Sequence, residues 1–262
     1  MRLRIEVDLD YSVNRASDVL LQVEAAAMAD QRIVWEELTV WSDTPIRAVA
    51  GEDGVGQRCW VHADTRLTAR YRASIDIERD AVRLADYAPT PVRMLDPHLI
   101  PYVLPSRYCQ ADRFVGTVER AFAGLEGGAL GAALAEWVGG SLRYRPNVSS
   151  GDTTALDTFA TRSGVCRDYA HLLVAMARAG GIPARCVSAY ALGVDPPDFH
   201  AVAELWLEGA WRLVDATGMA SCQDIARVCV GRDATDIAFM TIFGEGDLLR
   251  QQVRVTQERP TA

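Results

Sequence analysis

The sequence has no lysine; each of its 27 Lys-or-Arg positions is arginine. Biased codon usage accounts for this, and no chemistry is read into it. A basic face is missing as well. The formal net charge is −8 at pH 7, which argues against a nucleic-acid binder. No uncharged stretch approaches transmembrane length, and the opening MRLRIEVDLDYSV lacks the continuous apolar run of a signal peptide. No membrane partner is expected. The six cysteines, at 59, 109, 166, 186, 222 and 229, include no CxxC. No metal site or disulfide frame is therefore expected, and reduced thiols point to a cytoplasmic protein. With no calcium-loop pattern either, no cofactor is expected.

What is present begins with a core. A chain of 262 residues that is 49% hydrophobic has material for two domains. Leu3, Ile5, Val7 and Leu9 alternate with Arg2, Arg4, Glu6 and Asp8, the pattern of a half-buried strand. Residues 18–25, 33–41, 58–63, 68–78 and 82–86 read as further strands, with turns at Asp53-Gly54 and around His62. Strands without intervening helices imply an antiparallel sheet or sandwich. No chemistry is read in this part. Five prolines between Ala88 and Gln110 mark a rigid connection, in which His98 and Cys109 are read as packing residues. Helices are predicted over 112–123 and 128–142, and Asp152 or Thr153 as the cap of a third.

The densest chemistry lies between Ser163 and Thr217. Cys166 follows Gly164 and heads an apolar helix, whose N-terminal dipoles favour a thiolate. His200 opens a strand and Asp215 closes the next, across a hairpin turned at Glu208-Gly209. An imidazole can take the thiol proton and return it to a leaving group. A carboxylate on the far ring nitrogen holds the correct tautomer. Antiparallel strands can bring such ends together.

The motifs GVCRDYAHLLVAMARAGGIPARCVSAY and HAVAELWLEGAWRLVDATG resemble the core of the transglutaminase-like superfamily, and more closely its bacterial transglutaminase-like cysteine protease group. The likeness covers roughly residues 106–245. It implies a papain-like core with Cys166 as nucleophile, His200 as base and Asp215 as orienter. Two departures stand out. Arg167 replaces the Trp that follows the Cys in animal transglutaminases, and Val202 replaces the Trp of a His-Ala-Trp motif. The resemblance further implies an aromatic or polar side chain completing an oxyanion hole, for which Tyr144 is the candidate; Tyr108 is a candidate for the cleft edge.

Neighbouring polar residues have structural readings. His171 points to another side of the helix from Cys166, Asp168 can serve the helix N-terminus, and Cys186 reads as a small apolar residue. Cys222 is expected to be exposed, and Asp195-Pro-Pro-Asp198 to be a solvated turn. Phe239 and Phe243 are read as core. The expected fold is α+β: an N-terminal antiparallel β-domain with its Pro-rich connection (1–105), then a papain-like transglutaminase core (106–262). The expected function is amide hydrolysis of a peptide or protein substrate through an acyl-enzyme. Acyl transfer from glutamine side chains to an amine, and a catalytically silent protein-binding module, remain as alternatives. Oligomeric state is not legible.

Overall fold

The alternation at the N-terminus is realised in full. In β1 (Arg2–Val13), Leu3, Ile5, Val7 and Leu9 are at most 1% exposed. Burying each such side chain contributes about 1.5–3 kcal/mol. The opposite face is polar, with Asp8 and Asp10 paired to Arg72 and Arg66, solvent-screened contacts that add little stability. The computed structural model describes residues 1–42, 44–81 and 83–258. The remaining strands of this part are β2 (Ser17–Leu21), β3 (Gln31–Trp41), β4 (Arg47–Ala50), β5 (Gln57–Ala63) and β6 (Arg66–Ile77). Residues 84–86 form a 3-10 turn in place of the expected strand, and Val82 lies outside the described residues.

The connection is packed. Leu99 and Tyr102 are buried, and the Tyr102 hydroxyl donates to Asp53 Oδ2 at 2.7 Å. His98 meets Trp206 edge-on. Helices α1 (Val115–Ala121) and α2 (Gly127–Ser141) follow, then β7 (Arg143–Tyr144), α3 (Ala155–Thr161) and β8 (Ser163–Gly164). The cap of α3 is Thr154 rather than Asp152 or Thr153. Its hydroxyl accepts from the Asp157 N–H, and the Asp157 carboxylate accepts from the Thr154 N–H, a reciprocal pairing that neither earlier residue has.

Helix α4 (Cys166–Ala179) is buried on all sides from Asp168 to Arg178, the mark of a central helix. It packs on β9 (Ala184–Ala191) and β10 (His200–Leu207). With β11 (Ala210–Val214) and β12 (Ile225–Gly231), these make an antiparallel sheet in the order β11-β10-β9-β12. Arg178 sits in the last turn of α4, where its charge complements the helix dipole. Its guanidinium donates to the carbonyls of Ala184, Leu104 and Arg232, tying the connection to the sheet. The hairpin between β10 and β11 turns at Glu208 (φ 49°) and Gly209 (φ 73°), a two-residue turn with both residues left-handed.

After α5 (Ala234–Ile237), the chain returns to the N-terminal sheets through β13 (Met240–Ile242) and β14 (Gly246–Gln257). β14 pairs with β1 and β13 with β2, giving sheets ordered β14-β1-β6-β3 and β13-β2-β5-β4. The molecule is thus α+β with antiparallel main sheets; the short pair β7-β8 is parallel. No helix among the described residues is long and apolar enough to cross a membrane.

A chain of charges, buried at its centre, crosses β10, β9 and β12. Arg185 on β9 contacts Glu204 on β10 at 2.7 Å and Asp53 at 2.8 Å. Arg227 on β12 lies 2.7 Å from the other Glu204 oxygen and 2.8 Å from Asp30. Glu204 itself is 0% exposed.

Candidate active site

Cys166 owes its position to what precedes it. Asp168 is fully buried and its Oδ2 accepts the Val165 N–H at 2.8 Å, closing the first turn of α4. Arg167 donates to the other Asp168 oxygen and to the Ser150 carbonyl. A Cβ on Gly164 would stand 2.6 Å from the Asp168 Cβ, so only glycine lets this carboxylate fold back. The helix-capping role expected of Asp168 is realised. Cys166 is half-buried and opens α4.

His200 begins β10 and is 1% exposed. Its Nε2 meets Asp215 Oδ2 at 2.9 Å. Asp215 is pinned in turn. Its Oδ1 accepts from the Thr217 N–H at 2.9 Å and hydroxyl at 2.7 Å, and its Oδ2 accepts from the Ala220 N–H at 3.1 Å. A carboxylate so held fixes the ring as donor at Nε2. Nδ1 is left buried without an aligned hydrogen bond, and it is the atom free to take a thiol proton, since Cys166 also interacts with this ring. Burial opposes a charge on His200, but the bond to Asp215 and the interaction with Cys166 outweigh it and raise its pKa to about 9. Asp215 moves the other way: burial would raise its pKa, yet His200 and Thr217 hold it below the usual carboxylate range.

Since the folded His200 value lies above its unfolded 6.5, the stability it contributes is complete below about pH 6.5 and is lost as pH rises through about 9. Asp215→Asn removes the charge that raises it and leaves the burial that lowers it. The imidazole resonance of His200, followed by NMR, should titrate near pH 9 in the native protein and clearly lower in the variant. An unchanged midpoint would mean that Asp215 does not govern this ring.

Tyr144 is brought beside Cys166 by the short parallel pairing of β7 with β8, where it stands opposite Gly164. Burial first, and then its interactions with the Cys166 thiol and backbone N–H, move its pKa to about 12, so it remains a neutral donor. Tyr108 lines the same cleft as Cys166 and His200. Its hydroxyl donates to the Gly151 carbonyl at 2.6 Å and its ring stacks on His171 at 5.2 Å. His171 is fully buried, accepts the Ala234 N–H at Nε2, and is pushed down to about 4 by burial. It is a neutral packing residue. Cys109, His171 and Cys186 place their ligand atoms within 4.8 Å of one another. The bond from Ala234 occupies the lone pair of Nε2, which puts the ring proton on Nδ1 and leaves no nitrogen to hold a metal.

The cleft holds about 530 Å³. Phe239 packs against the core as read and also lines the cleft, stacked on Phe199. Phe243 is 58% exposed against Trp60, because β13 lies at a sheet edge. Asp198 is not merely solvated: it borders the cleft and accepts from the Phe199 N–H and from Gln251. Met240 and Gln251 reach the cleft from β13 and β14, the C-terminal strands that pair with β2 and β1. Sequence spacing offers one unused signal, Thr217 two residues after Asp215, which suits an Asx turn. Val202 is 1% exposed in the sheet and presents no wall.

Comparison with known proteins identifies the family and the fold. The profile of the transglutaminase-like superfamily core matches residues 127–216. A crystal structure of a candidate cysteine protease from Cytophaga hutchinsonii is similar throughout: 31% identity, 98% of this chain and 90% of that one covered, TM-score 0.92. An uncharacterized protein of Mycobacterium leprae, ML0607, is 32% identical over 114 residues. The match takes in 40% of this chain and 41% of that protein, so the chain spans about two fifths of the curated relative's length. The periplasmic domain of TgpA from Pseudomonas aeruginosa is a more distant likeness, at 20% identity and TM-score 0.43, with 83% of this chain and 90% of that one covered.

Proposed function

Because this chain belongs to the transglutaminase-like superfamily, we propose that it is a cysteine-dependent amide hydrolase acting on peptide or protein substrates. The observation that carries the proposal is that Cys166, at a helix start, and His200 line one cleft, with Asp215 bonded to His200 at 2.9 Å. Cys166 Sγ attacks the amide carbonyl as its proton resides on His200 Nδ1, giving a tetrahedral oxyanion. The Cys166 N–H and the Tyr144 hydroxyl are the donors for that oxygen. The C–N bond then breaks, and His200 delivers its proton to the departing amine. A water deprotonated by His200 attacks the thioester; the C–S bond breaks, and acid and thiol are released. The sequence likeness to a candidate cysteine protease supports this reading. All six cysteines are free thiols, in keeping with a reducing, cytoplasmic setting.

Transfer of the acyl group to an amine shares every step up to the thioester. Asp198 at the rim favours it, since a carboxylate there would attract a cationic amine. Water is nevertheless the expected acceptor, because Arg167 and Val202 replace the aromatic walls that would shield the thioester. Incubating the protein with an acyl-donor peptide and excess primary amine should yield mainly the free acid. A predominant amide conjugate would assign the chain to amine transfer, and neither product would leave it a silent binding module.

A further inference from the structure

The cleft lining is mixed: polar residues such as Asn147, Ser149 and Arg167 share it with an apolar cluster. Phe199 and Phe239 lie face to face, 4.1 Å between centroids and 7° from parallel, with Ile237 and Met240 beside them. This stack is rigidly backed. Tyr190 is fully buried behind Phe199, 5.7 Å away, and its hydroxyl donates to the Val23 carbonyl at 2.6 Å. The Phe239 carbonyl accepts the Gln22 N–H at 2.8 Å, and Met240 pairs with Leu21 in the β13–β2 ladder. The wall is therefore anchored to the N-terminal sheets, and it begins one residue from His200.

A half-buried apolar surface lining a cleft beside a reacting centre is a place where binding energy can select a substrate. We infer that the Phe199–Phe239–Met240 wall is a specificity site for a large apolar side chain flanking the amide that Cys166 attacks, and that the N-terminal β-structure serves the site by holding this wall. The inference rests on the acyl-transfer reading of Cys166. The competing feature is the Asp198 carboxylate, whose pull on a basic side chain the Arg peptides measure. It stands at the rim, where its Oδ1 accepts from both the Phe199 N–H at 2.7 Å and Gln251 Nε2 at 2.6 Å. Taking a Phe or Leu side chain from water onto such a wall favours binding roughly 10–100-fold over glycine.

The test uses the full chain and hexapeptides whose central amide is reduced to CH2–NH, so that they bind without being cleaved. The residue on either side of that bond is Phe, Leu, Gly or Arg, and the readout is the peptide concentration that halves iodoacetamide labelling of Cys166. Phe and Leu peptides, in at least one of the two positions, should protect at 10–100-fold lower concentration than Gly peptides. That advantage should fall at least several-fold in Phe239→Ala. Met240→Ala provides the same test should the first variant fail to fold. Equal protection by Phe and Gly, stronger protection by Arg, or an advantage that survives in the folded variants would overturn the inference. Failure of iodoacetamide to label Cys166 in the unprotected protein would instead overturn the acyl-transfer reading beneath it.

Discussion

Alanine at His200 is expected to lower amide turnover about 10²–10⁴-fold, the usual contribution of a positioned acid–base group. The fold should survive, because Asp215 keeps three other donors from Thr217 and Ala220. Cys166→Ala should abolish acyl-enzyme formation altogether. Groups that act as a unit are not additive, so the double variant should lose little more than Cys166→Ala alone. Steady-state kinetics of the two single variants and the double, with circular dichroism as a folding control, give the answer. Full additivity of the two losses would mean that His200 and Cys166 serve separate steps.

The second large effect is on stability. Glu204→Ala should cost about 3 kcal/mol, the lower part of the 3–5 kcal/mol expected when one partner of a buried ion pair is removed. Glu204 is 0% exposed and separates Arg185 from Arg227, whose side chains are 3% and 5% exposed. Without it, two desolvated guanidinium groups face each other. Asp53 and Asp30 remain on their outer sides, which keeps the loss from being larger. A well-packed apolar core could be as stable as the intact network; the cost arises from unpairing. Urea unfolding monitored by tryptophan fluorescence measures it, and a change under about 1 kcal/mol would mean that the remaining carboxylates suffice.

Local pattern makes some features legible in the amino-acid sequence itself. The alternation of Leu3 through Leu9 identifies a strand and its buried face, and Glu208-Gly209 identifies the hairpin that carries His200 toward Asp215. Residues 163–217 yield the helix start and strand start that meet in the cleft and the strand end that holds His200. What escapes is non-local. QQVRVTQ reads as a closing strand, but nothing in its alternation names β1, some 240 residues earlier, as its partner. Hence neither Gln251 nor Met240 can be placed at the cleft from sequence. Phe239 reads as core because an apolar side chain is equally consistent with a core and with a wall; it serves both, stacked on Phe199. Thr154 does not stand out because Asp152 and Thr153 are equally good capping types, and only the reciprocal bond with Asp157 distinguishes them.

The central claim is that Cys166 is the reactive thiol of this chain, and brief labelling with iodoacetamide near neutral pH followed by mass spectrometry of all six cysteines tests it most directly. Cys59, Cys109, Cys186 and Cys229 are buried. Cys222, expected to be exposed, is half-buried; its thiol donates to the Leu213 carbonyl and burial raises its pKa. Cys166 alone among the six opens an α-helix beside an imidazole able to take its proton. The account predicts that Cys166 is labelled first and well ahead of the other five. Labelling of Cys166 and Cys222 at equal rates, or a Cys166 that stays unlabelled, would contradict it.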